Sequence, residues 1–176
     1  MSPGRGMKVC IVSDSHDRAP RLEAAVIDAK ARGAQAVVHC GDVIGAQTLR
    51  PLLRLGLPIH AIHGNNLGDA LALMRLVAES DGLLRYYGAD AQIDLGGKKV
   101  CVVHYPHYGR AFAATGDWDL VCCGHSHQPE VARAPNLAGR DVWLVNPGTV
   151  AGLGGPATYV LGDLATMRFE VQPAPN

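Results

Sequence analysis

Five short apolar runs in this chain each end in a turn that carries carboxylate, imidazole or amide side chains. The turns are Asp14-Ser15-His16, Gly41-Asp42, Gly64-Asn65-Asn66, His104, and Gly124-His125-Ser126-His127. The runs cover residues 8–12, 36–39, 58–62, 99–103 and 120–123 and are almost free of charge. Uninterrupted apolar stretches of that length read as strands buried on both faces, the pattern of sheets covered by helices. Polar residues at one end of every such strand then edge a single rim, which points to a layered α/β fold.

Between the runs the periodicity changes. Pro20 fits the first turn of a helix and Gly33 its end, with Leu22, Ala25, Val26 and Ala29 as an apolar stripe. Residues 46–55 are helix-like but carry Pro51, which predicts a kink or two short pieces. Residues 67–80 predict a longer helix with Leu71, Met74, Leu76 and Val77 as apolar positions. In the second half, residues 91–95 and 99–103 flank Gly96-Gly97 as a hairpin. A short helix is expected over 107–115, and strands over 130–134, 142–145, 158–161 and 167–171. Two packed sheets with helices outside close this set most simply. Residues 1–6 read as a flexible lead and 172–176 as a loose tail on a single domain spanning 1–176.

Composition narrows the function classes. The chain has 176 residues, enough for one substantial core. Lys+Arg 16 against Asp+Glu 16 gives a formal charge of +0, so nothing favours a long nucleic acid or an anionic membrane surface as partner. The apolar run at 9–12 is far too short for a signal-peptide core, and no run is long enough to span a bilayer, which makes a cytoplasmic protein the expectation. The five cysteines are odd in number, and Cys122 and Cys123 are adjacent; buried, reduced thiols are expected.

Each polar turn has an ordinary reading when taken alone. Asp14 and Asn65 can cap helices, Asp42 can sit in a turn, His104 can be structural, and His125 and His127 can be exposed turn residues. Five such coincidences at one rim are harder to sustain than one shared purpose. Imidazole, carboxylate and amide groups are the ligands of divalent transition metals.

In order, DxH, GD, GN, His and GHxH, followed by Asn146-Pro147-Gly148-Thr149, the chain resembles the calcineurin-like metallophosphoesterase superfamily, in its branch of small bacterial and archaeal phosphodiesterases. The resemblance spans about residues 7–171. It implies a four-layer α/β/β/α sandwich of two mixed sheets flanked by helices. It implies one metal held by Asp14, His16 and His127, a second held by Asn65, His104 and His125, and Asp42 bridging both. The implied activity is hydrolysis of a small phosphodiester by a hydroxide between two divalent ions, manganese first, with iron, nickel, cobalt or zinc as alternatives. Two such ions ~3.5–4 Å apart repel by ~17–19 kcal/mol at an effective dielectric near 20. Asp42 and the hydroxide offset that repulsion, and with Asp14 they leave one positive charge to attract a phosphate.

Two departures from the family pattern bear on the chemistry. Many members carry a His directly after the GN asparagine as general acid; here the position is Asn66, expected to contact substrate. Where members often read His-Gly-His, this chain reads His104-Tyr105-Pro106-His107. His107 is expected to reach the substrate or leaving group, with capping of the next helix as the alternative. His39 and His63 precede ligand positions and can orient them, whereas His60 reads as packing. The expected partner is a small phosphate ester, and a homo-oligomer is left open. The competing functions are a protein-binding scaffold on the same fold, as in the retromer subunit, a phosphomonoesterase, and a nuclease, which the absence of basic excess disfavours.

Overall fold

Val9 and Ile11 point from the first strand into one apolar layer, Cys10 and Val12 into another, and all four are fully buried. Double burial explains why the run shows no polar alternation. In the computed structural model, which describes residues 6–176, this strand is β1 (Lys8–Val12). On one side it starts a parallel series with β2 (Ala34–His39), β3 (Ile59–Ala61) and β4 (Leu84–Tyr86). On the other side β10 (Thr158–Asp163) and then β11 (Arg168–Pro173) pair antiparallel, giving the order β11-β10-β1-β2-β3-β4. The second sheet, β5-β6-β7-β9-β8, contains β5 (Ala91–Leu95), β6 (Lys98–Val102), β7 (Leu120–Cys122), β8 (Pro129–Pro135) and β9 (Asp141–Pro147). There β6, β7 and β9 are parallel, and β5 and β8 are antiparallel to their neighbours.

Three apolar layers hold these elements. Val9, Ile11, Val38, Val100, Leu120 and Val145 meet between the sheets. Leu22 and Val26 of α1 (Ala19–Ala31), Leu49 of α2 (Ala46–Leu49) and Leu76 of α3 (Ala70–Glu79) cover the outer face of the six-stranded sheet. Ala113 of α4 (Pro106–Thr115) packs with Val121 and Leu144 on the outer face of the other. The fold is therefore a four-layer α/β/β/α sandwich of two mixed sheets. Its parallel strands β1, β2, β3, β6 and β7 all direct their C-terminal ends toward the polar turns, the usual place for a site in such sheets. No helix among the described residues is long and apolar enough to cross a membrane.

Local signals explain most element ends. Pro51 cuts the segment after β2 into α2 and a 3-10 turn over Arg50–Leu55. Asp69 caps α3 by accepting the Ala72 N–H at 2.9 Å. Gly96 and Gly97, at φ 57° and 75°, make the left-handed hairpin turn between β5 and β6. All five cysteines are free and buried, and desolvation pushes the Cys101 and Cys123 thiols up to about 12, so they remain protonated.

Four expectations need correction or limiting. The apolar stripe of α3 is not the one read from its periodicity: Leu71 and Met74 are 61% and 50% exposed, while Leu73 and Leu76 are buried and Val77 packs beside them. The helix is apolar on more than one face, and the sheet takes the line 73–76–77. Strand β4 was not expected, because three residues are too few to show a period. Most of the lead expected over residues 1–6 lies outside the described residues. The expected loose tail is structured: β11 continues through Pro173, Thr158 and Tyr159 pair with Pro173 and Gln172, and buried Ala174 donates to Ala157 O at 2.8 Å. Deleting residues 172–176 is therefore expected to lower stability by roughly 2 kcal/mol, from the lost Ala174–Ala157 and Arg32–Gln172 hydrogen bonds, the end of the β10–β11 pairing and lost burial. Urea unfolding of full-length and truncated protein reads this as a shifted midpoint; an unchanged midpoint would restore the loose tail.

Candidate metal centre

The backbone of the polar turns is strained where the candidate ligands sit. Asp14, His16, Asp42, His125 and His127 have φ of 53°, 41°, 56°, 68° and 58°, in the left-handed region. Each such non-glycine residue costs on the order of 1–3 kcal/mol. Neighbouring turns hold the strained segments through one another's backbones. Asp14 N–H donates to Gly41 O at 2.9 Å, His16 N–H to Asp42 O at 3.0 Å, Asp42 N–H to His63 O at 2.6 Å, and Gly124 N–H to His104 O at 2.9 Å. Two glycines permit this closeness. A Cβ on Gly124 would lie 2.0 Å from Ser13 Oγ, and one on Gly64 would lie 2.4 Å from Asp42 Oδ1 at a φ of 85°.

The seven candidate side chains form one unbroken row. From one end, His125 Nδ1 lies 2.9 Å from Asn65 Oδ1, and Asn65 Oδ1 lies 2.9 Å from His104 Nε2. His104 Nε2 is 3.3 Å from Asp42 Oδ1, and Asp42 Oδ2 is 3.6 Å from His16 Nε2. His16 Nε2 is then 3.2 Å from His127 Nε2, which is 3.1 Å from Asp14 Oδ1. Asp42 stands in the middle, with Asn65, His104 and His125 to one side and Asp14, His16 and His127 to the other. Asp14, Asp42 and His104 are buried, while His16 and His127 keep a fifth or so of their side chains in solvent.

Hydrogen bonds at the outer ends of these groups determine what faces inward. His127 Nδ1 is bonded to Leu153 O and His104 Nδ1 to Cys40 O, so each ring spends its N–H on a carbonyl. In the neutral rings this leaves the Nε2 lone pairs turned into the row. Asp14 Oδ2 accepts the His125 N–H at 2.9 Å, but Asp14 Oδ1 is buried with no hydrogen-bond partner. A carboxylate oxygen without a hydrogen-bond partner and two imidazole nitrogens thus converge. That arrangement fits a cation. Two nitrogens each ~2.1 Å from one ion lie ~3.0–3.4 Å apart for octahedral to tetrahedral angles, which brackets the His16–His127 separation. Asp14, His16 and His127, and likewise Asp14, Asp42 and His104, present ligand atoms within 4.8 Å of one another. Four imidazoles, two carboxylates and one amide suit a divalent transition metal better than magnesium or calcium.

Around the row lies a set of braces. Asp42 Oδ1 accepts the Asn65 and Asn66 N–H groups, both at 3.0 Å, and Asp42 Oδ2 accepts Asn66 Nδ2 at 2.7 Å. Asn66 therefore orients Asp42 here; its amide is turned toward that carboxylate. Asn146 donates to Gly124 O at 2.9 Å and Ser126 Oγ at 3.0 Å, and Thr149 Oγ1 donates to Asp14 O at 2.9 Å. The Asn146-Pro147-Gly148-Thr149 turn is thus the clamp between the first and last polar turns, a role its sequence alone did not disclose. His39 is fully buried between Ser15 Oγ at 3.0 Å and the Gly41 N–H at 3.2 Å, joining the first two turns. His63 bonds Tyr86 through its ring, and His60 is buried against Tyr87, at 2.8 Å from its hydroxyl.

His107 stands apart from the row. It is exposed on the first turn of α4, makes no capping bond, and packs against Tyr105 and Tyr108 at ring-centroid distances of 5.4 and 4.3 Å. Tyr105 in turn lies edge-on to His125 at 4.6 Å. No local pattern singles out Tyr105; a tyrosine at a helix start is unremarkable until its neighbours are known.

Comparison with known proteins bears on the family and the fold. A family model described as the calcineurin-like phosphoesterase superfamily domain matches residues 7–167. A phosphodiesterase of Methanocaldococcus jannaschii is 25% identical over 150 residues, covering 83% of this chain and 86% of that protein. The solved structure of an archaeal phosphodiesterase superposes with a TM-score of 0.85 at 24% identity, over 95% of this chain and 99% of that one. The phosphoesterase Yfce of E. coli superposes with a TM-score of 0.61 at 19% identity, over 96% and 100%. At those identities the two superpositions speak for the fold.

Two outcomes follow from the orphaned carboxylate oxygen and the buried imidazole. Asp14→Asn places an N–H donor opposite the His127 lone pair. In chelator the variant is expected to gain roughly 1 kcal/mol, about 2–4 °C in a chain of this size, and to lose the stabilisation that added transition metal gives the parent. Scanning calorimetry with and without metal tests this; a variant less stable than the parent in chelator would contradict it. For His39, burial first and His104 second lower the pKa from 6.5 to about 3, with Asp42 opposing. The unfolded chain binds a proton near pH 6.5 that the folded ring refuses down to about 3, so stability falls as pH falls through that window, by up to ~1.4 kcal/mol per pH unit from this group. In chelator, urea unfolding of His39→Gln between pH 7.5 and 5 should show a lower stability at pH 7.5 and a flatter pH slope; an unchanged slope would remove His39 as the cause.

Proposed function

The chain belongs to the calcineurin-like phosphoesterase superfamily and is a hydrolase of phosphoester bonds, and from that premise we propose that it cleaves small phosphodiesters at a centre of two divalent transition-metal ions. The observation that carries this reading is the unbroken row of seven side chains with Asp42 at its middle. Asn65, His104 and His125 would hold one ion, Asp14, His16 and His127 the other, and Asp42 would contact both. When bound, such a pair polarises phosphoryl oxygens and lowers the pKa of water enough to supply a nucleophile near neutral pH. The carboxylates Asp14 and Asp42 neutralise only part of that charge, so an anionic ester is attracted.

The chain's own residues set the geometry. Three N–H groups of the Asn65-Asn66 turn fix both oxygens of Asp42. Carbonyls of Cys40 and Leu153 fix the His104 and His127 rings. Among the described residues no lysine or arginine is bonded to any of the seven, which supports a singly charged diester over a doubly charged monoester. The name of the archaeal relative, a phosphodiesterase, supports the same choice. His107, exposed at the start of α4, is proposed to protonate a poor leaving group.

Metal-stripped protein should be inactive on bis-p-nitrophenyl phosphate and regain turnover with manganese, nickel, cobalt or zinc. The diester should exceed p-nitrophenyl phosphate in kcat/KM. Asp42→Ala should lose more than the ~10–100-fold typical of residues that only orient a ligand. His107→Ala should lose about a hundredfold on a diester with a poor leaving group while sparing p-nitrophenyl leaving. No turnover with any of these metals would sink the reading, and unchanged turnover of the poor diester would remove His107 alone.

A further inference from the structure

Beside the row, on the His104 side, a pocket of about 310 Å³ opens between the first turns of α4 and the segment that leads into β5. Gly64 and His104 are among its lining residues, so it adjoins the candidate centre. Tyr105, Tyr108 and Phe112 form the side that α4 presents. Tyr105 and Tyr108 meet edge to face, with ring centroids 5.7 Å apart and planes at 89°. Asp90 is the one acidic residue in the lining, and no lysine or arginine reaches it. None of the seven-residue chemistry uses this space, and the reading of His107 as proton donor does not occupy it.

We infer that this pocket is the subsite for the organic group of the substrate, and that the group it fits is a neutral, planar aromatic ring system of nucleobase size carrying a hydrogen-bond donor. The inference rests on the phosphodiester reading above and narrows it. Size is the first reason. An apolar cavity of ~150 Å³ accepts one benzene, and pockets for drug-sized ligands begin near ~300 Å³, so this one holds a single ring system with its linker. Shape and chemistry are the second. Two tyrosines and a phenylalanine offer faces and edges for stacking, a contact that tolerates many aromatic rings. Charge is the third. A pocket whose sole charged side chain is Asp90 repels a second anion and accepts an N–H donor, so it selects against polyphosphates and in favour of amino-bearing rings. Position is the last: a ring seated here lies against His104, one step from where the phosphoryl group would meet the ions.

Binding, which does not depend on turnover, gives the test. Manganese-loaded protein is titrated calorimetrically with methyl methylphosphonate and methyl phenylphosphonate, two monoanions that differ by the ring. The phenyl compound should bind about tenfold more tightly, the range expected of one stacked ring. Tyr108→Ala, at a side chain that is 53% exposed and so safe for folding, should bring that ratio close to unity, and Tyr108→Trp should restore it. A 4-aminophenyl ring should bind more tightly than a 4-carboxyphenyl ring, and Asp90→Asn should narrow that gap. Equal binding of the methyl and phenyl compounds, an unchanged ratio in Tyr108→Ala, or no binding of either compound would overturn the inference. A protein that shows the ring preference but turns over no diester would overturn the catalytic reading and leave the subsite standing.

Discussion

A buried carboxylate oxygen without a hydrogen-bond partner is the constraint around which the rest of this molecule is arranged. Asp14 Oδ1 faces the Nε2 atoms of His127 and His16 and has no donor. A buried carboxyl oxygen left without a hydrogen bond is costly to a fold. The protein relieves the cost on one side, where His125 N–H donates to Asp14 Oδ2, and leaves it on the other. Asp42 is treated differently, with three N–H donors spread over both its oxygens. Two carboxylates in one row, one satisfied and one orphaned, make a site that gains most from cations between them.

That site could not be held by its own turns. Five of its seven residues sit at positive φ, and β-branched Ile44 joins them at 72° in the turn after β2. Such backbone persists only where the surroundings over-determine it. The surroundings are the three apolar layers, which fix the strand ends, and the cross-turn bonds of His39, Asn146 and Thr149, which fix the turns to one another. Core and site are thus coupled. Stability supplied by burial of residues such as Val9 and Leu120 is spent in part on conformations that the isolated turns would not adopt.

The division of the rim into functions follows from the two sheets. The six-stranded sheet delivers Asp14, His16, Asp42 and Asn65 from its parallel strands, and the five-stranded sheet delivers His104, His125 and His127. The row therefore crosses the seam between the sheets. α4 begins immediately after His104, so its first turns put an aromatic wall next to the same rim. The aromatic wall and the row are thus built from different residues, with Tyr105, packed against His104 and His125, joining the two.

Much of this was legible in the sequence because it depends on short-range pattern. Residues 8–12 had to be a doubly buried strand, Pro51 had to break its helix, and the order of the polar turns matched one family. The α3 stripe was misread because Leu71 and Met74 compete with Leu73 and Leu76 for the same face, and only the sheet beneath chooses between them. Strand β4 and the ordered tail were invisible for a related reason: their pairing partners, Ile59 and Thr158, supply what their own few residues do not. The sequence by itself determined which side chains would edge one rim, since apolar periodicity and turn residues are properties of neighbours along the chain. Only the tertiary structure decided that Asp14 Oδ1 would be left without a donor, that Asn66 would turn to Asp42, and that Tyr105 and Tyr108 would wall a pocket. Those outcomes depend on hydrogen bonds and ring contacts between residues as many as 111 positions apart, whose directions no local pattern encodes.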